Sequence, residues 1–228
     1  MSAMAAKRKK IDELMEKASA ALAHMRWFEA ERLAHKALIM AWQHRDVERM
    51  ARIILPLQEA RRQRFQKALD AGHVTVVDRA PIAEDIKVEP GCYLVGPPLV
   101  GADARRIRLA ALVQESPVIV LCREPVTQLG LVPVVTTIPG KSFRAKVRPP
   151  KNREQPDLAW VVEALDDLGH AAIHSIDPHQ AVERRIDALL EMLDAMPEHE
   201  GLHQTLEETC REAMHAGIGE TASGAPTS

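Results

Sequence analysis

WFEAERLAHKAL, residues 27–38, is the stretch with the clearest structural pattern in the chain. Apolar and small side chains recur in it at spacings of three and four residues, which places them on one face of an α-helix. That face consists of Trp27, Ala30, Ala34, Ala37 and Leu38. Because small residues recur on it, we expect a second helix to pack closely against this one.

Two further helical patterns flank this stretch. Residues 11–23 and 27–43 contain neither glycine nor proline, and we expect them to form two antiparallel helices. A third helix is expected to follow Asp46, a residue type that caps helix starts, and to end at Gly72. Pro56 is expected to kink or divide that third helix. Residues 1–72 are therefore predicted to be a helical hairpin or a three-helix segment.

Residues 11–42 resemble one tetratricopeptide repeat, a helical hairpin that other proteins use to bind protein partners. Leu14, Ala18 and Ala21 would line the first helix of the repeat, and the face that begins at Trp27 would line the second. The resemblance implies that this face is an interaction surface. A single repeat cannot bury its apolar face alone, so the rest of the chain or a second copy must cover it.

The hydrophobic period changes after Gly72. Short β-branched or apolar runs, separated by proline and glycine, predict five or six strands. The runs are Val74–Val77, Cys92–Val95, Val118–Leu121, Leu131–Thr137, Phe143–Val147 and Ala171–Ile176. Helices are expected at 103–114 and 157–168, each capped by its first aspartate. Residues 73–176 are therefore predicted to be a mixed sheet with helices, in a protein of the α+β or α/β class.

The C-terminal part of the chain returns to helical periodicity. A helix is expected to begin at Asp177-Pro178 and to close at Pro197, and a second is expected to reach about His215. Residues 177–216 would then be an acidic helical pair that packs on the sheet. Residues 217–228, rich in small and polar residues, are predicted to be a disordered tail.

Charge is distributed unevenly along the chain, although the formal net charge is −2. Basic residues outnumber acidic ones by 15 to 9 over residues 1–72 and by 12 to 8 over residues 73–156, whereas over residues 157–228 acidic ones dominate by 15 to 3. Either these regions neutralise one another within the fold or a homo-oligomer, or each region faces its own partner.

Composition narrows the classes of function. No apolar run approaches the roughly 20 residues that a membrane span needs, and no membrane partner is expected. The three cysteines lie far apart and form no disulfide framework, so we expect reduced thiols and a cytoplasmic location. Aromatic residues make up 3% of the chain, which argues against stacking of single-stranded bases.

One stretch predicts a ligand cleft. Residues 96–103 connect a predicted strand to a predicted helix with the two-glycine spacing of a phosphate loop. Ala102 and Asp103 stand where that loop needs a lysine and a hydroxyl, so nucleotide binding is not expected there. The strand ends could instead line a site for another small molecule. Its candidate residues are Arg105, Arg106, Cys122 and Arg123.

His199-Glu200-Gly201-Leu202-His203 matches the HExxH pattern and resembles zinc metallopeptidases. Histidines four residues apart on a helix can both bind one zinc ion, and the intervening glutamate can activate water. The alternative is an ordinary helix start next to Pro197, with Leu202 directed to the core. Zinc is therefore an alternative to the expectation of no cofactor.

Basic residues alternate with apolar ones near the end of the predicted sheet region. Arg144, Lys146 and Arg148 alternate with buried-type residues, so one face of a strand is expected to be positive and could bind nucleic-acid phosphates. The leading functional prediction is nevertheless a non-enzymatic interaction or scaffold protein that binds a protein partner or a second copy of itself. Small-molecule binding or catalysis, nucleic-acid binding and zinc hydrolysis are the alternatives, so enzyme activity is left open.

Overall fold

The protein has an α+β fold, in which the helical and strand patterns of the sequence form separate helices and one sheet. The computed structural model describes residues 3–79 and 86–218, and within them it contains seven helices and five strands. The helices are α1 (Ala3–Ala23), α2 (Trp27–Gln43), α3 (Val47–Leu69), α4 (Gly101–Val113), α5 (Leu158–His174), α6 (Val182–Ala195) and α7 (Glu200–His215). The strands are β1 (Val74–Val77), β2 (Gly91–Val95), β3 (Val118–Arg123), β4 (Val132–Ile138) and β5 (Lys141–Val147).

The chain forms two compact units that are discontinuous in sequence. Among the described residues, the helical unit comprises residues 3–61, 177–190 and 203–218, and the sheet unit comprises residues 62–79, 86–176 and 191–202. The sequence had indicated four contiguous segments, because local periodicity identifies a helix but not the neighbour that covers it. Of the predicted disordered tail, residues 219–228 lie outside the described residues.

The helical unit uses the small-residue face as its interior. Ala30, Ala34 and Ala37 are completely buried, and Ala30 packs in one cluster with Ala21 of α1 and Ala60 of α3. Side chains this small let helix backbones approach closely, as the sequence predicted.

Parts of the acidic C-terminal helices belong to this helical unit. The indole Nε1 of Trp42 on α2 donates to Asp187 Oδ1 on α6 at 2.6 Å, and Arg185 Nη1 of α6 donates to Glu212 Oε1 of α7 at 2.9 Å. Residues 177–190 and 203–218 therefore pack with N-terminal helices, where the sequence predicted packing on the sheet. Residues 191–202 are the C-terminal segment that belongs to the sheet unit.

The sheet is mixed, as predicted, with the strand order β1-β2-β3-β4-β5. β1, β2 and β3 are parallel, whereas β4 is antiparallel to β3 and β5 is antiparallel to β4. Helix α4 packs on the sheet through Ile107 and Ala111, which share a core cluster with Val95, Cys122 and Val135. Helix α5 contacts β4 and β5.

Several element boundaries differ from the sequence-based expectations. Residues 171–174 continue helix α5 and are not a sixth strand, because Ala172 extends the buried face formed by Ala164 and Leu168 at helical spacing. Helix α6 begins at Val182 and not at Asp177. Helix α3 runs undivided through Pro56.

The aspartate caps are partly as predicted. Asp157 accepts the Trp160 N–H at 2.8 Å at the start of α5, and Asp46 accepts the Arg49 N–H at 3.2 Å at the start of α3. Asp103, however, stands inside α4, where its Oδ2 accepts the Val100 N–H at 2.9 Å. Asp103 therefore caps α4 from the third position of the helix, by accepting the N–H of the residue before the helix.

Arg108 of α4 fixes residues 191–202 to the sheet. Its guanidinium donates to Thr136 Oγ1 at 3.2 Å, to the Thr137 carbonyl at 3.2 Å and to the Ala195 carbonyl at the end of α6. The Thr136 hydroxyl donates to the same Ala195 carbonyl at 2.9 Å. Burial lowers the pKa of Arg108, while Glu198 and Asp194 act in the opposite direction. The guanidinium thus caps the C-terminus of α6 and joins it to β4.

Replacing Arg108 with methionine is expected to lower the free energy of unfolding by about 1–3 kcal/mol, because buried carbonyl acceptors lose their donors. Urea unfolding followed by circular dichroism measures the change. Arg106→Met is the matched control, because Arg106 lies on the same helix with its side chain 60% exposed, paired with Asp103. Equal effects of the two substitutions would contradict the anchoring role of Arg108.

Candidate functional site

The sheet unit contains an apolar cleft of about 680 Å³. Its walls come from the C-terminal end of α3, one face of α5, and the segment from the end of α6 to the start of α7. The lining residues are Arg62, Phe65, Leu69, Leu158, Ala159, Val162, Glu163, Leu165, Asp166, Met196, Glu198, His199 and Glu200. A cleft of this size and apolar character is typical of ligand-binding sites.

Helix α5 supplies part of the apolar lining of this cleft, because it has apolar residues on two faces. Val161, Ala164 and Leu168 form a buried face. Val162 and Leu165 point in another direction and line the cleft, where they are half-buried. A helix that needs one buried face to pack on a sheet therefore presents a second apolar face to the cleft.

Acidic side chains dominate the charged part of the lining. Arg62 is the one basic residue among the cleft residues, against four carboxylates, and His199 adds an imidazole. The carboxylates belong to Glu163, Asp166, Glu198 and Glu200. This acidic rim around an apolar floor favours a ligand that is apolar and positively charged.

His199 is built into the fold as the residue that caps α7. Its Nδ1 accepts the Leu202 N–H at 3.1 Å, so in this arrangement the neutral imidazole carries its proton on Nε2. The ring lies against Gly169 of α5, where an added Cβ would be 2.1 Å from the His199 Cδ2. Glycine at 169 is therefore required for the ring to occupy this place.

A cluster of three ligand-type side chains surrounds the His199 ring. Its Nε2 lies 3.3 Å from Asp166 Oδ1, and Asp166 Oδ2 lies 3.5 Å from Nδ1 of His170. The two imidazole rings meet edge to face with centroids 5.3 Å apart. His199 is buried, whereas Asp166 and His170 are exposed. Burial lowers the pKa of His199, and the Asp166 carboxylate opposes that shift.

The HExxH residues separate into different environments. His199 joins the cluster with Asp166 and His170, of which His203 is not a member. His203 Nε2 instead lies 3.3 Å from Nη1 of Arg61 in the helical unit, and Arg61 Nε donates to Glu31 at 3.0 Å. His199 precedes α7 and caps it, whereas His203 is part of the helix, and zinc binding by this pair stays a prediction.

The sequence analysis did not identify Asp166 and His170, the two members of this cluster that lie on α5. Asp166 and His170 are four residues apart on α5, a spacing that places both on one helix face. An isolated glycine inside a helical pattern costs about 1 kcal/mol relative to alanine, so Gly169 was the one signal in this stretch that could point to a special packing contact. The sequence pattern predicts a strand over Ala171–Ile176, whereas the structure places both His170 and His174 on α5.

The predicted ligand cleft at the strand ends shows tight local packing. The Arg123 side chain covers Gly96, with its Nε 3.1 Å from an added Cβ there, and its Nη1 donates to the Arg153 carbonyl at 2.7 Å. Arg106 pairs with Asp103 at 3.2 Å, while Arg105 lies close enough to Arg108 to influence its pKa. Burial raises the pKa of the Cys122 thiol to about 12.

The remaining predicted sites occupy an interior face and a sheet edge. On the small-residue face the alanines are fully buried, Leu38 is 1% exposed and Trp27 is half-buried. Other side chains of the helical unit therefore already cover most of this face. Arg144, Lys146 and Arg148 are exposed on or beside β5, the edge strand, and Arg144 pairs with Glu124 at 3.1 Å. Charges on an edge strand also prevent pairing with other chains.

No protein-family model, curated protein or solved structure matches this chain. The resemblance of residues 11–42 to a tetratricopeptide repeat therefore stays a prediction. Among the helices within residues 3–79 and 86–218, none has the length and apolar character that crossing a bilayer requires.

Gly169→Ala is expected to lower the free energy of unfolding by about 1–3 kcal/mol, because the new methyl group displaces the His199 ring. Alanine has a higher helix propensity than glycine, by about 1 kcal/mol. Once the His199 ring is removed, the effect of this substitution on the free energy of unfolding should therefore change sign. Gly169→Ala is therefore expected to be neutral or stabilising in a His199→Ser background, where serine can still cap α7. Thermal unfolding of the four proteins measures this, and the same loss in both backgrounds would refute the contact.

The thiols of Cys92, Cys122 and Cys210 are expected to resist alkylation in the native protein. All three are buried, and burial raises each thiol pKa from 9.0 to about 12, so very little reactive thiolate forms at about pH 8. Mass spectrometry after iodoacetamide treatment measures the modification, with the guanidinium-unfolded protein as control. Rapid alkylation of Cys122 in the native protein would contradict this expectation.

Proposed function

We propose that the protein is a non-enzymatic interaction protein whose sheet unit binds a basic amphipathic helix of a partner in the α3/α5 cleft. The acidic, apolar cleft is the observation that carries this proposal. The C-terminal end of α3 and one face of α5 already form two of its walls, and grooves between helices commonly accept the apolar face of a third helix. A partner helix would place apolar side chains on the floor and lysine or arginine side chains near the rim.

The apolar floor supplies the attraction. Phe65 and Leu69 of α3 lie one helical turn apart, and Val162 and Leu165 of α5 complete the floor. These four side chains are half-buried, so a partner removes further apolar surface from water. Each buried Å² contributes roughly 25 cal/mol before the costs of association are subtracted.

The acidic rim supplies the selectivity. Glu163 and Asp166 come from α5, and Glu198 and Glu200 flank His199 on the opposing segment. A basic partner finds carboxylates on both sides, whereas an acidic partner meets like charge. The same charges disfavour nucleic acid in this cleft, and nucleic-acid binding through Arg144, Lys146 and Arg148 stays a separate prediction.

The proposal keeps the interaction function predicted from the sequence and assigns it to a different surface. The face with Trp27 and Ala34 is mostly buried in the helical unit, so it does not offer a partner the open surface that the cleft offers. Homo-oligomer formation and a cytoplasmic location stay predictions from the sequence.

Val162→Lys is expected to weaken binding of a labelled helical peptide of leucine and lysine by at least ~10-fold, because it places a charge on the apolar floor. Fluorescence anisotropy with the full chain measures the dissociation constants. Val113→Lys is the matched control, since Val113 is 85% exposed on α4, outside the cleft. A leucine–glutamate peptide tests the rim and is expected to bind at least ~10-fold more weakly than the lysine peptide.

Three results would contradict the proposal. Equal binding by the Val162→Lys and Val113→Lys proteins would show that the peptide does not occupy the cleft. Equal affinity for the lysine and glutamate peptides would show that the rim does not select charge. If neither peptide binds and an apolar dye binds in a manner that Val162→Lys abolishes, small-molecule binding replaces the interaction function.

A further inference from the structure

We infer that Asp166, His170 and His199 form a binding site for Zn²⁺ in the wall of the cleft. Their ligand atoms all lie within 4.8 Å of one another. Two imidazoles and one carboxylate form a donor set that zinc commonly takes, and three protein ligands leave a coordination position for another molecule. Asp166 and His199 also line the cleft, so that position is accessible from it.

The fold brings the three donors together from two separate segments. Asp166 and His170 lie on one face of α5, at positions i and i+4. His199 approaches from the segment that Arg108 anchors through the Ala195 carbonyl, and Gly169 leaves room for its ring. One donor is therefore held rigidly in the interior, while the two exposed donors can adjust.

The separations suit a shared metal ion better than direct hydrogen bonds. Ligand atoms about 2.0–2.2 Å from a tetrahedral zinc ion are about 3.3–3.6 Å apart. Asp166 Oδ1 lies 3.3 Å from Nε2 of His199, and Asp166 Oδ2 lies 3.5 Å from Nδ1 of His170, so each imidazole faces a different oxygen of the carboxylate. Charge-assisted N–H···O bonds are shorter, at about 2.7–2.9 Å. Exposed Asp166 and His170 need to move by about 1 Å to bring the widest separation into the zinc range.

Zinc binding changes the protonation of His199 without altering its charge. The Leu202 N–H donates to Nδ1, so the proton of the neutral ring is on Nε2, the atom that faces Asp166. When zinc takes Nε2, that proton is released and Nδ1 takes up another, so the cap bond to Leu202 is lost. The Nδ1–H and the Leu202 N–H are then both donors, so losing this bond lowers the affinity by a factor of about 5 to 150. This is small against the several orders of magnitude that zinc coordination supplies.

A zinc titration of the full chain against a chromogenic chelator tests the inference. The wild-type protein is expected to bind one zinc ion with a dissociation constant of about 1 μM or lower. His170→Ala is expected to weaken binding at least ~10-fold. His174→Ala is the matched control, because His174 is exposed one turn further along α5 and is not in the cluster.

His199→Asn separates the ligand role from the capping role. Asparagine caps helices well but lacks the imidazole, so this variant is expected to keep its fold and to lose the zinc-induced rise in melting temperature. The inference is overturned if the wild-type protein takes up no stoichiometric zinc, or if His170→Ala and His174→Ala bind it equally. No peptide is present in this experiment, so its outcome is independent of the proposed cleft function.

Discussion

The close packing of the His199 ring on the backbone of Gly169 is the contact on which the candidate site depends. A side chain of any size at position 169 would occupy the space of that ring. The contact brings the start of α7 against α5, and it places the imidazole beside the Asp166 carboxylate. Because Gly169 has no Cβ, the His199 ring can pack here and meet Asp166 in the wall of the cleft.

A second constraint acts through the sheet. Arg108 and Thr136 bind the same carbonyl, that of Ala195, and so hold the end of α6 on β4. Met196 directly follows Ala195 and His199 comes three residues later, and both line the cleft. Buried polar contacts at one end of the segment thus position both apolar and imidazole groups at the other. The cost of burying a guanidinium is offset by its three acceptors.

The two units use apolar periodicity in different ways. In the helical unit, the alanines of α2 are buried, and their small size serves close helix packing. In the sheet unit, α5 carries more apolar surface than one packed face requires, and the remainder lines the cleft. A pattern of recurrent apolar residues is therefore consistent with either core or binding surface, and burial distinguishes the two.

By itself the sequence determined a protein of the α+β or α/β class, the ends of α2 and β1, the cap at Asp157 and the close helix packing of the alanine face. These features follow from local spacing, capping and turn chemistry, which act over a few residues. It failed where Ala171–Ile176 resembled a strand, because a short apolar run fits both periods. Only the tertiary structure brought His199 to Asp166. Those residues meet through packing between segments about 30 positions apart, which no local pattern encodes.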